Sequence, residues 1–251
     1  MSVQAGFGYA QARIQAHVSR LPSDADWDRL AGVRRFAAFL EESRSGPLRD
    51  WVKGLSAQSH VHVLESNLRL LARESVRETA GWVPRGWRPA VEWLEWLPWL
   101  AMIEHLLRDG EVPEWMSRDA FARHLLDDAG GFDSHALVAA GFLTEDGNPG
   151  DAGIGVHWFD RWRALSPESG ASQGLDPLIE LIRDHRRYFA SAPPGTAWEL
   201  RRSLRSALRM HLHLNPLRPA AVFSYLGMVL LDLERLRAEL LERALFATEP
   251  A

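Results

Sequence analysis

Two histidine pairs are the first residues that invite a chemical reading: His60-Val61-His62 and His211-Leu212-His213. Two imidazoles one residue apart chelate a metal only on a strand. In a helix they point about 200° apart and cannot share an ion. Both pairs lie in segments with helical periodicity, so satisfied or solvated histidines are the plainer reading. His124 with Asp127 and Asp128 is a further trio at helical spacing, and a solvated helix end accounts for it. No His-Glu-x-x-His and no Gly-x-Ser-x-Gly occurs. Gly150-Asp151-Ala152-Gly153-Ile154-Gly155 is glycine-rich, but it lacks the preceding strand and following amphipathic helix of a dinucleotide fingerprint, and reads as a loop. Carboxylate pairs such as Glu41-Glu42 belong to solvated helix faces. Lys53 is the sole lysine and sits outside any glycine-rich phosphate loop, which excludes a Walker-type ATPase. The sequence thus offers no catalytic residue, no metal site and no cofactor site.

Two other groupings suit recognition better than catalysis. Trp93, Trp96 and Trp99, with Trp82 and Trp87 upstream, form an aromatic group that could meet a partner or fill a core, and Trp99 is expected to be its most exposed member. Arg201, Arg202, Arg205 and Arg209 fall within an arc of about 100° on one helix, and His213 extends it. Leu200, Leu204, Leu208 and Leu212 occupy the neighbouring arc. From Arg201 to Arg218 there are five arginines and no acidic residue. This cationic face is either solvated surface or a docking surface for an acidic partner.

Helices must position these groups. No alternation over five or more residues is present. Helical stretches are expected over 4–21, through Asp26 after a Ser23 cap, around Phe36–Leu40, and over Leu48–Glu78 with Val63, Leu64, Leu68, Leu71 and Val76 as its buried stripe. Arg88–Arg108 follows, kinked or divided at Pro98. Short helices are expected around Phe121–Leu126 and His135–Ala140. Residues 143–174 read as a loop-rich break around an aromatic piece, Trp158–Leu165. Three helices close the chain: Asp176–Ala190, Thr196–Leu214 and 219–247, the last opened by Pro219.

Composition sets the frame. The 251 residues are 46% hydrophobic and 25% charged, enough for a sizeable core in one domain or two. Absence of cysteine excludes disulfides, zinc-thiolate sites and thiol nucleophiles. A net charge of −4 gives no support to nucleic-acid binding by bulk charge. The most apolar stretch, Val91–Leu107, carries Glu92, Glu95, Glu104 and His105 and is too short and charged to span a bilayer. Met1–Arg20 lacks the pattern of a signal peptide, so a cytoplasmic chain is expected.

The two ends carry a resemblance. Tyr9-Ala-Gln-Ala12-Arg13 followed by Ser19-Arg20-Leu21 resembles the Tyr-x-x-Ala-Arg…Ser-x-Leu opening of the C/d subunit family of V-type and archaeal A-type ATPases. Tyr225, Asp232 and Leu236-Arg237 resemble the family's closing helix, with Arg235 where the family usually has asparagine. The resemblance covers about the first eighty and last thirty-five residues. The tryptophan-rich middle departs from the pattern, and the chain is shorter than a typical member. It implies an all-α, funnel-like body of packed helices with long amphipathic helices at both ends, one domain over residues 1–251. It further implies a non-catalytic adaptor without cofactor. Such an adaptor would sit at the cytoplasmic face of a membrane complex and seat the rotor shaft of the catalytic sector on the membrane ring, in ATP-driven proton or sodium transport. The partner faces expected on this reading are the Arg201/Arg202/Arg205/Arg209 arc and the Trp93/Trp96/Trp99 group, with neither nucleic acid nor bilayer insertion. A stand-alone helical adaptor, and a metalloenzyme using His60, His62, His211, His213 and Asp127, are the alternatives.

Overall fold

The computed structural model describes residues 6–109, 111–119, 121–143, 153–167 and 174–246. The fold is all-α. Among the described residues there is no strand, and β-type pairing is limited to the bridge between Leu126 and Phe132. No described helix is long and apolar enough to cross a membrane. The chain groups into two units, 1–92 with 167–251 and 93–166. Their boundaries fall at 92/93 and 166/167.

The first unit is built on its last helix. The helices here are α1 (Gly8–Val18), α2 (Asp24–Ala31), α3 (Phe36–Arg44), α4 (Val61–Trp82) and α5 (Arg88–Glu92), then α9 (Asp176–Ser191), α10 (Ala197–Leu214) and α11 (Pro219–Phe246). Pro219 opens α11, where its missing N–H costs no intrahelical bond. From Pro219 to Leu226 every residue of α11 is buried. Such all-round burial suits a helix enclosed by others, and α1, α3, α4 and α10 all pack against it. Gly227 permits the approach of α10, since a Cβ there would lie 2.9 Å from Leu208 Cδ1.

Local chemistry sets the helix ends. Ser23 caps α2 as its sequence suggests: its Oγ accepts from the Asp26 N–H at 3.2 Å, and Asp26 Oδ2 accepts from the Ser23 N–H at 2.9 Å. The Ser23 hydroxyl and N–H hold the Asp26 carboxyl below its ordinary range. At and just past the other end of α2, Arg243 reaches two backbone carbonyls. Its Nε donates to Val33 O at 2.7 Å and its Nη2 to Leu30 O at 3.3 Å, while Nη1 holds Glu239 at 2.7 Å.

Several expected elements differ in extent. α1 stops at Val18, short of Leu21. α4 begins only at Val61: Leu48, Val52 and Leu55 are buried, but they sit in successive turns, tied to α4 where Asn67 donates to Trp51 O at 3.1 Å. The buried stripe of α4 runs through Leu64, Leu68, Ala72 and Val76. That stripe advances four residues at a time, so Val63 is half exposed and Leu71 half-buried, and Ala72 stands where Leu71 was expected. His60 precedes the helix and His62 stands exposed in its first turn.

The second unit starts in a 3-10 stretch, Trp93–Trp99, that contains Pro98. It continues through α6 (Leu100–Asp109), two short 3-10 turns, α7 (Ser134–Ala140) and α8 (Ile154–Leu165). Pro98 has no N–H and its ring would strike the carbonyl four residues back, so the α-helical ladder cannot pass through it. Gly141 ends α7 at φ 84°, a left-handed conformation that favours glycine. Gly153 caps α8, so a helix does follow the glycine-rich loop, contrary to expectation. Gly150, Asp151 and Ala152 lie outside the described residues.

Candidate functional site

The tryptophans expected to face a partner are the core of the second unit. Trp93 stacks on Phe142 at 4.8 Å between centroids, Trp96 meets Phe121 at 4.5 Å and Phe142 at 4.7 Å, and Trp99 lies 5.3 Å from Phe121. Trp99 is 2% exposed and so is not the outward member. The indole of Trp93 donates to Trp158 O at 2.9 Å, and Trp158 donates back to Trp93 O at 3.3 Å. In the first unit Trp87 lies 6.0 Å from Phe7 and 6.2 Å from Phe223. Trp82 sits beside His17 and Tyr225 under the Arg13 guanidinium.

The histidine pairs are not brought together. Among the described residues no three His, Asp or Glu side chains group in a way that could hold a metal. His211 Nδ1 lies 3.0 Å from Ser224 Oγ, and its Nε2 lies 3.3 Å from Asn215 Nδ2. These partners fit a neutral ring, with Nδ1–H donating to the serine and Nε2 accepting from the amide. Burial holds its pKa below the ordinary value. His213 is exposed, and Asp127 accepts from the Ala129 and Gly131 N–H groups of its own turn at 2.9 and 2.7 Å.

The residues shared with the end motifs meet across the first unit. Arg13 pairs with Glu78 at 3.1 Å, and Tyr225 is buried against His17 and Trp82. Burial, with Glu78 adding to it, raises the Tyr225 hydroxyl above its ordinary pKa. Arg237 grips Glu65, Nε to Oε1 at 2.8 Å, and Leu236 is fully buried. Leu21 is half-buried, while Tyr9, Ala12 and Ser19 are exposed, Tyr9 by 61%.

The arginine arc divides. Arg205 is not a docking residue. Its Nε donates to Asp232 Oδ1 at 2.7 Å, and its Nη2 donates to Asp232 Oδ2 and to Pro22 O, each at 2.8 Å. Asp232 is 1% exposed. Burial raises its carboxyl above the ordinary range, and Arg205 offsets part of that rise. Arg201 lies between two rings, 4.6 Å from Phe189 and 4.8 Å from Trp198, with Glu234 3.6 Å away. Arg202 and Arg209 are exposed and, among the described residues, have no carboxylate within ion-pairing distance.

Sequence reasoning missed Arg235, which belongs with this group. It is half-buried on α11 with its guanidinium 4.8 Å from the Trp27 ring. Burial lowers its pKa, Glu239 counteracts, and Arg202 lowers it further. α2, α10 and α11 enclose a pocket of 190 Å³ lined by Asp24 from α2, by Trp198, Arg201, Arg202 and Arg205 from α10, and by Leu231, Asp232, Arg235 and Glu239 from α11. The signal was present in the sequence: Arg235 departs from the asparagine of the motif it sits in. Comparison with known proteins finds no matching family model, no matching curated protein and no matching solved structure.

Proposed function

We propose that the chain is a non-catalytic helical adaptor that binds an acidic surface through the outer edge of α10 and α11. The observation that carries this reading is the incomplete neutralisation of that edge. Arg202, Arg209 and Arg235 have no ion-pair partner among the described residues, on a protein whose net charge is −4. Arginines left in this state, Arg202 and Arg209 exposed and Arg235 half-buried, give electrostatic complementarity and orientation to an encounter. The assembly we propose is the rotor of a V-type or A-type ATPase, with the chain as the socket between shaft and membrane ring at the cytoplasmic face. That identification rests on the resemblance of the two end motifs. Its partners would be the shaft and ring subunits, and it would perform no bond chemistry itself.

The test is a pull-down with rotor-shaft and ring subunits. Arg202→Glu/Arg209→Glu should abolish capture while the melting curve stays in place, and capture by the unaltered chain should weaken as salt shortens the Debye length to about 8 Å and below. Arg205 is left alone, because reversing it would strand buried Asp232 and confound the readout with lost stability. No capture of either subunit at low salt would remove the rotor identification. Capture indifferent to both substitutions and to salt would remove the cationic edge as the contact.

A further inference from the structure

We propose that the pocket among α2, α10 and α11 is a binding site for a phosphoryl group, with Arg202 and Arg235 as its principal ligands and Arg201 as the third. The inference does not depend on the rotor reading.

Charge accounting inside the pocket leads there. Its lining carries four arginines and three carboxylates, Asp24, Asp232 and Glu239. Asp232 is already taken, both oxygens bound by Arg205. Glu239 is held by Arg243 at 2.7 Å, and its charge also acts on Arg235. Arg201 has its own carboxylate in Glu234, 3.6 Å away and outside the lining. Arg202 and Arg235 remain without a carboxylate in ion-pair contact: Glu239, Asp28 and Asp24 act on Arg235 from further off, and the nearby charge of Arg202 lowers its pKa. Two guanidiniums side by side, neither in contact with a carboxylate, repel, and an oxyanion between them removes that repulsion.

Geometry points the same way. Arg235 lies over the Trp27 ring, and Arg201 is held between Phe189 and Trp198. An aromatic ring fixes the plane of a guanidinium through its face and leaves the N–H edge available to donate. Planar forks of this kind match phosphate oxygens two at a time. A carboxylate offers two oxygens and one negative charge. A phosphoryl group offers three oxygens and up to two negative charges, enough for two or three forks. The pocket, 190 Å³ and open to solvent, has room for a phosphoryl group with its substituent directed outward.

The experiment is calorimetric titration of the full chain with inorganic phosphate at pH 8 and low salt. We expect saturable binding at one site per chain, weakened at least tenfold in Arg202→Ala and unchanged in Arg186→Ala, an exposed arginine of α9 outside the lining. Arg235→Gln should weaken it likewise, and Arg202→Ala, at an exposed position, keeps the test independent of any effect on folding. Glycerol 3-phosphate and a phosphoserine peptide then identify the source. Binding of the first alone means a small phosphate ester, and binding of the second alone a modified side chain. No saturable binding of phosphate, full binding by Arg202→Ala, or equal binding of succinate would overturn the assignment.

Discussion

Arg205 and Asp232 close a two-pronged ion pair, Nε to Oδ1 at 2.7 Å and Nη2 to Oδ2 at 2.8 Å, between α10 and α11. The same guanidinium reaches Pro22 O just ahead of α2, so one side chain ties two helices to the turn that leads into a third. Removing one partner from a buried pair strands the other charge. Arg205→Ala should therefore cost about 3–5 kcal/mol, while the double change Arg205→Met/Asp232→Leu should recover most of that loss. Urea unfolding of the single and double variants checks this. A double variant no more stable than Arg205→Ala would mean the pair is not the source of the loss.

Three histidines give the stability a pH dependence of one sign. Burial is the leading cause of a lowered pKa at His17, His185 and His211, which outweighs the nearby Glu78 carboxylate at His17. In the folded state each binds a proton less readily than in the unfolded chain. The stability they contribute is present above pH 6.5 and is lost as pH falls through the folded pKa values. The melting temperature should thus decline between pH 7.5 and 5.5, and His211→Gln should flatten part of that slope. A melting temperature that rises on acidification over this interval would reverse the assignment.

Trp93→Ala should destabilise the second unit by about 3–5 kcal/mol. It removes the stacked contact with Phe142 and the indole donor to Trp158 O together. Loss of near-ultraviolet circular dichroism at lower temperature than in the unaltered chain is the readout. A near-neutral Trp93→Ala would mean that neither contact carries the stability of the unit.

Those tryptophans show why sequence carried the fold further than the site. The α-helical wheel places Trp99 about 120° away from Trp93, which suggests an exposed ring. In the 3-10 stretch that Pro98 imposes, three residues complete a turn, so Trp93, Trp96 and Trp99 fall on one face and pack together. Periodicity served well for α9, α10 and α11, whose bounds differ from expectation by a residue at most. There the pattern is regular and Pro219 marks a start. It could not show that Arg205 turns inward, because Asp232 and Pro22 reach it only through tertiary contact. Ser23 and Asp26 were legible as a cap because both partners lie within one turn.

The burial of α4 against α11 bears on the order in which the chain is made. α4 leaves the ribosome with Leu64, Leu68, Ala72 and Val76 already in place, yet the helix that covers them begins only at Pro219. At roughly 5–20 residues per second, the wait is on the order of ten seconds. The second unit, continuous from Trp93 to Ser166, is complete within that interval. The nascent chain therefore carries an apolar helix without its cover while its middle can already fold, a period in which a chaperone has something to hold.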